Sequence, residues 1–182
     1  MADVEVDLRV LRDRLAPLGV EDIRPLRGGA SSLTYLGAIA GGDRRRVVVK
    51  VAPAGVPPVW NRDVLRQARI LRALRPTTVP VPEVLWEDAG EPSDLPPLFV
   101  MSFVEGTSIE PLFDLDADEE ATLVGERMRN AARAMAALHA LDPDALGFAG
   151  EPRVGPAAEI DRWSRLLETV DAALAPGWQA IA

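Results

Sequence analysis

The sequence predicts an α+β fold: an antiparallel sheet with one inserted helix, followed by a purely helical region. Three observations predict it. Short apolar runs of strand length recur between residues 23 and 104, two of them joined by Gly41-Gly42-Asp43, a hairpin signal. One stretch of helical periodicity, at 62–74, interrupts them. Beyond residue 104 the character changes, and apolar residues recur at helical spacing. Hairpin-linked strands argue against a doubly wound parallel sheet.

Each element follows from local chemistry. Leu8, Leu11, Leu15 and Leu18 are spaced for a helix over residues 6–16, ended by Pro17 and Gly19. Ile23 to Leu26 is a short strand candidate, and "RGGASS" (27–32) a glycine-serine turn. "LTYLGAIA" and "RRVVVKV" are the two strands of the hairpin, and "APAGVPPVW" a loop. Val64, Leu65, Ala68, Leu71 and Leu74 carry the inserted helix. Alternate prolines in "TTVPVPEVLWE" lead into a strand near 83–87, and "LFVMSFV" (98–104) reads as another. Asp116 and Glu119 fit a capping box before a long helix whose stripe is Val124, Met128, Ala131, Met135 and Leu138; Pro143 keeps it from continuing. A last helix is expected over 157–173, with Ile160, Trp163, Leu167 and Val170 on one face.

Composition narrows the function classes. The 182 residues are 48% apolar and 26% charged, enough for a core and unlike a disordered chain. No apolar run approaches the ~20 residues of a membrane span. The start lacks a basic stretch followed by an apolar block, so no secretory signal is expected. Without cysteine there are no disulfides or thiolate metal sites, and the expected compartment is the cytoplasm. The net charge of −8 argues against a nucleic-acid binder. Its distribution is uneven: up to Pro82 there are 14 Lys/Arg against 8 Asp/Glu, and beyond it 6 against 20. A basic first part suits an anion and an acidic second part a cation, although both patterns also fit a solvated surface.

Two places are candidates for chemistry. Gly28-Gly29 with Ser31 and Ser32 reads most simply as a β-turn; its functional reading is a loop whose N–H groups approach phosphate oxygens. Neither common glycine-rich nucleotide fingerprint is present. Lys50 is the stronger signal. Nineteen of the twenty cationic residues are arginine, and the one lysine sits in a valine strand. Strand alternation puts Val47, Val49 and Val51 on one face and Val48 with Lys50 on the other. The plain reading is a strand-end lysine reaching solvent. The functional one is a compact ammonium aimed at a phosphate, in a site too narrow for a guanidinium.

In order, "LRGGASSLTYLG", "VVVKVAP", "RQARILRAL", "TTVPVPEVLWED", "LFVMSFVEGTSIE" and "MAALHALDPDALGF" resemble the aminoglycoside phosphotransferase and choline kinase-like superfamily. The nearest branch is the bacterial phosphotransferases related to the kinase-like portion of acyl-CoA dehydrogenase fusion proteins. The resemblance covers roughly residues 20–175. It implies a kinase-like nucleotide-binding lobe over 1–104 and, over 105–182, the hinge and first helices of an incomplete second lobe. Gly28, Gly29, Ser31 and Ser32 would then lie over the phosphates of ATP, and Lys50 would pair with the α- and β-phosphates. Met101 would be the gatekeeper, the Ser102 carbonyl would accept from the adenine amino group, and the Val104 N–H would donate to the ring. The plain reading of that block is an ordinary buried strand. Where the family places a glutamate to pair with the lysine, this sequence has Gln67, a hydrogen-bonding group without the charge; Asp63, one turn earlier, is the alternative.

The family's catalytic loop, His-Gly-Asp with an asparagine five residues after the aspartate, has no counterpart. No Asp-x-x-x-x-Asn occurs in the sequence, and its only histidine, His139, precedes Ala140-Leu141. His139 reads as a helix C-terminal residue, and "EIDRW" (159–163) as helix rather than metal site. The expected function is the ATP-binding portion of a small-molecule phosphotransferase, truncated before its catalytic loop and inactive alone. The alternative is a non-catalytic nucleotide-sensing or protein-interaction module. Magnesium is expected from the resemblance, without ligands in this chain. The implied partners are a nucleotide and an acceptor that the sequence does not identify, with no nucleic acid or membrane. Apolar faces on 119–141 and 157–174 suit an oligomer or a complementing chain.

Overall fold

The computed structural model describes residues 6–26, 32–41, 44–55, 59, 62–91, 95–106, 121–171, 174 and 177. They fall into two compact units, Met1–Asp142 and Pro143–Ala182.

The first unit opens with α1 (Leu8–Leu15), started by Asp7, whose carboxylate accepts the Arg9 N–H at 2.8 Å. Five strands follow: β1 (Val20–Pro25), β2 (Leu33–Ile39), β3 (Arg45–Val51), β4 (Val84–Asp88) and β5 (Leu98–Ser102). The helix α2 (Val64–Leu74) is inserted between β3 and β4. The strands form one sheet in the order β1-β2-β3-β5-β4, and every neighbouring pair is antiparallel. The α+β class and the element order match the sequence-based expectation.

The β3 valines divide the core. Val47, Val49 and Val51 are fully buried with Leu98 and Val100 of β5, Tyr35 of β2 and Val20 and Ile23 of β1, under Leu11 and Leu15 of α1. On the other face Phe99 and Ala52 meet Val64 and Ala68 of α2, with Met101 and Val84 alongside. Burying each large apolar side chain of this kind contributes about 1.5–3 kcal/mol. The sheet is therefore covered on both faces, by α1 on one and α2 on the other.

Several boundaries differ from those expected. β1 begins at Val20, before the expected Ile23, and its burial repeats every three residues. A bulge between Glu21 and Arg24, with Asp22 at φ 53°, breaks the alternation that would have revealed it. β5 stops at Ser102, two residues short of the expected Val104. Beyond Asp142, α4 (Pro156–Leu167) ends well before residue 173. There the Thr169 hydroxyl donates to the Leu166 carbonyl at 2.7 Å, closing the last turn. The long helix α3 (Ala121–His139) is present, but Met128, Met135 and Leu138 of its apolar stripe are exposed. Asp116 and Glu119 lie outside the described residues.

One polar cluster joins α1 to the β4–β5 connection. Arg14, 10% exposed, donates through Nε to Asp88 Oδ2 and through Nη1 to the Pro96 carbonyl, both at 2.8 Å. Its buried Nη2 lies 2.8 Å from the same carboxylate oxygen, an electrostatic contact without hydrogen-bond geometry. Asp88 Oδ1 accepts the Gly90 N–H at 2.8 Å. Gly90 has φ +64°, and a Cβ there would sit 1.9 Å from the Leu95 carbonyl oxygen, so only glycine fits this turn.

Burial alone would raise the Asp88 pKa, but the Gly90 N–H and the Arg14 guanidinium outweigh it and leave it below the ordinary value. A depressed carboxylate pKa contributes stability that is complete above the unfolded value, about 3.9, and is lost as pH falls through the folded one. Asp88→Asn is expected to cost about 1–2 kcal/mol in urea denaturation at neutral pH. The difference from wild type should shrink as both are measured at pH values below about 4.

Candidate functional site: the Lys50 face of the sheet

The register that buries the β3 valines also aims Lys50. Thr34 of β2 and Phe99 of β5 are its partners on either side, and it shares with Phe99 the face that α2 covers. Val48, two residues back, is paired with Leu36 and Met101, and Arg46 with Ala38. An open groove of about 390 Å³ lies farther along, lined by Leu36, Ala38 and Arg46 with Asp22, Arg24 and Arg44. The face therefore runs from the half-buried ammonium of Lys50 over aliphatic side chains to arginines near Ser102.

α2 reaches Lys50 through Gln67. The Lys50 Nζ donates to Gln67 Oε1 at 2.9 Å. Burial of the ammonium lowers the Lys50 pKa, since low-dielectric surroundings disfavour the charged form. Asp63 has a different job: its carboxylate accepts the Arg66 N–H at 2.9 Å and caps α2, and its carbonyl accepts the Gln67 N–H at 3.1 Å. The lysine partner on α2 is thus Gln67, while Asp63 fixes the helix start that positions it.

The other sequence candidates divide into those described and those not. Gly28, Gly29 and Ser31 lie outside the described residues. Ser32 is buried, 8% exposed, two residues before Thr34. Met101 is half-buried against the α2 cluster. Ser102 ties the end of β5 to the segment before β4: its N–H donates to the Glu83 carbonyl at 2.8 Å, and its hydroxyl accepts the Glu83 N–H at 3.0 Å. Val104 is 65% exposed. His139 is the last residue of α3, and Glu159 of "EIDRW" pairs with Arg162 on α4.

Sequence reasoning missed Arg46. Its carbonyl accepts the Phe103 N–H at 3.2 Å, its guanidinium lies 4.1 Å from the centre of the Phe103 ring, and it makes an ion pair with Glu105. These contacts clamp β3 to the segment after β5. The alternation that places Lys50 also places Arg46 on its face, but no sequence signal names Phe103 and Glu105 as partners.

Among the described residues, no group of three or more His, Cys, Asp or Glu side chains is placed to hold a metal ion. The described donor set does not fit magnesium. Nor is any described helix long and apolar enough to cross a membrane.

Asp63→Asn should leave stability nearly unchanged, since asparagine caps as well as aspartate, whereas Asp63→Ala should cost about 1 kcal/mol in chemical denaturation. If Asp63 instead held the Lys50 charge, both variants would shift the Lys50 titration, which one lysine-selective NMR signal would report.

The phosphotransferase enzyme family matches residues 22–182. The protein named probable acyl-CoA dehydrogenase IBR3, from Arabidopsis thaliana, is 32% identical over 140 residues, which is 74% of this chain and 17% of the plant protein. A crystal structure from Ralstonia eutropha JMP134, assigned as an aminoglycoside phosphotransferase, superposes with a TM-score of 0.64 at 20% identity. That match takes in 93% of this chain and 50% of the solved one, and at such identity the likeness is one of fold. The chain spans half the length of the solved structure and a smaller share of the plant protein. A five-stranded antiparallel sheet sandwiched by helices, and a match over residues 22–182, place this chain in the phosphotransferase enzyme family.

Proposed function

We propose that these residues are the ATP-binding portion of a small-molecule phosphotransferase, an enzyme class that phosphorylates a hydroxyl at the expense of ATP. The observation that carries the reading is the half-buried Lys50 ammonium, held at 2.9 Å by Gln67 on the α2 face of the sheet. Burying an unpaired charge is costly, so a site of this kind is stabilised by an anion. In this reading residues 1–104 are the nucleotide lobe, and Lys50 contacts the α- and β-phosphates. Gly28, Gly29, Ser31 and Ser32 supply donors to the phosphate oxygens. Adenine lies over Leu36 and Val48 beside Met101, meeting the Ser102 carbonyl and the Val104 N–H.

Phosphoryl transfer needs a residue to orient the acceptor hydroxyl and groups to hold the metal. With no Asp-x-x-x-x-Asn in the sequence, the 182 residues bind nucleotide and do not transfer phosphate unaided. The exposed Met128, Met135 and Leu138 of α3, and Ile160, Trp163 and Leu166 of α4, suit cover by further polypeptide. Gln67 favours a second reading, a nucleotide-sensing module that has given up transfer, because a neutral amide secures the lysine less firmly than a carboxylate. The gene beyond codon 182 separates the two: a His-Gly-Asp segment with an asparagine five residues after the aspartate supports the transferase.

Thermal denaturation with ATP tests the binding. The wild-type Tm should rise with ATP concentration, by about 1.4 kcal/mol of added stability when free ligand is tenfold above Kd. Lys50→Ala should remove most of that gain. A wild-type Tm indifferent to ATP at millimolar concentration would sink the proposal.

A further inference from the structure

We propose that Arg46 is the positioning residue for the nucleotide base. By gripping Phe103 and Glu105 it holds the backbone between them, at Val104, ready for the purine ring, and so favours nucleotides over polyphosphates that carry no base. The inference rests on the nucleotide-site reading above and deepens it by naming what fixes the base-recognising backbone.

Beyond β5, which ends at Ser102, strand pairing no longer fixes the chain. Arg46 takes over there. Its carbonyl accepts the Phe103 N–H at 3.2 Å. Its guanidinium lies 4.1 Å from the centre of the Phe103 ring and forms an ion pair with Glu105. Val104 is thus bracketed, with both of its chain neighbours tied to one residue, while its own side chain is 65% exposed and adds little to the hold.

The residue before this segment is secured from the opposite face of the sheet. Alternation along β3 turns Arg45 away from Arg46, and Arg45 pairs with Glu83 at 2.7 Å. The Glu83 carbonyl accepts the Ser102 N–H at 2.8 Å, and the Glu83 N–H donates to the Ser102 hydroxyl at 3.0 Å. The two arginines that open β3 therefore secure consecutive parts of one short segment. Arg46 also shares its face of β3 with Val48 and Lys50. Four residues of strand separate Arg46 from Lys50 by about 13 Å, so one strand spaces a group that holds the base site from a group aimed at the phosphates.

A hydrogen bond from a backbone N–H to a ring nitrogen depends on direction as well as distance. A segment that must be ordered as the ligand arrives subtracts that entropy from the affinity, whereas a segment held beforehand does not. The two roles open to Arg46 differ in what they favour. An arginine acting only as a cation attracts every polyphosphate of like charge equally. An arginine that holds backbone for the base favours only ligands that have one. The ratio of the two affinities is therefore the signature of positioning.

Calorimetry would measure ATP and inorganic tripolyphosphate, both in excess magnesium, binding to wild type, Arg46→Met and Arg46→Lys. Valine-selective amide NMR, with the Val104 signal assigned by Val104→Ile, would follow the same titrations. Wild type should bind ATP more tightly than tripolyphosphate, and ATP alone should shift the Val104 amide. Arg46→Met removes the ring contact and the ion pair and leaves the backbone hydrogen bond. It should lower the ratio of ATP to tripolyphosphate affinity about three- to tenfold. Arg46→Lys keeps a cation for the ring and for Glu105 and should recover part of that loss.

The outcomes separate this inference from the reading beneath it. An Arg46→Met protein that keeps the wild-type ratio, whether both affinities hold or both fall together, overturns the positioning role and leaves the nucleotide site standing. So does an Arg46→Lys protein with a ratio no better than that of Arg46→Met. A wild type that binds tripolyphosphate as tightly as ATP, with the Val104 amide unmoved by either, overturns the nucleotide reading and this inference with it.

Discussion

The central strand β3 is paired on both edges and has its valine face sealed in the core, and this constraint fixes how the sheet presents its other face. Val47, Val49 and Val51 fill the α1 side, so the residues between them must occupy the α2 side. A slip of one residue would drive three valines out of one core and a lysine into it, a change no local adjustment absorbs. Lys50 is therefore aimed by its neighbours' burial. Phe99, opposite Lys50 in the register, anchors the second cluster against Ala68 and Val64, which sets α2 one side chain away from the ammonium. The same packing that supplies stability supplies the reach from Lys50 to Gln67.

Much of this was legible in the sequence because periodicity is a local property. The valine alternation placed Lys50 on the correct face, Gly41-Gly42-Asp43 separated two strands that do pair antiparallel, and Val64, Ala68 and Leu74 marked the buried side of α2. The illegible parts depend on residues far apart in sequence or on a broken period. The bulge near Asp22 hid the start of β1. Arg14 and Asp88 are 74 residues apart, and nothing around either one names the other. The resemblance put Gln67 at the position that pairs with Lys50 and left Asp63 as the alternative, and the Lys50–Gln67 hydrogen bond and the capping geometry at the start of α2 decide for Gln67. The apolar stripe of α3 was read correctly as helix, yet Met128 and Met135 are exposed, since periodicity predicts which face is apolar and not what covers it.

The pairing of Lys50 with an amide has an energetic logic of its own. A buried lysine–carboxylate pair desolvates two ions and recovers the cost only with good geometry and further hydrogen bonds. With Gln67 only one ion is desolvated, and the amide returns a hydrogen bond to a charged donor worth about 1.5–3 kcal/mol. The remaining cost stays on the ammonium, visible as its lowered pKa. In the reading proposed above, an anion at Lys50 relieves that cost, and part of its binding energy comes from correcting an imbalance already present in the free protein. A carboxylate at position 67 would correct the imbalance in advance and leave the ligand less to gain. The lone lysine is thus held half-buried against an amide, by a helix whose position depends on a cap at Asp63 and a phenylalanine on the neighbouring strand.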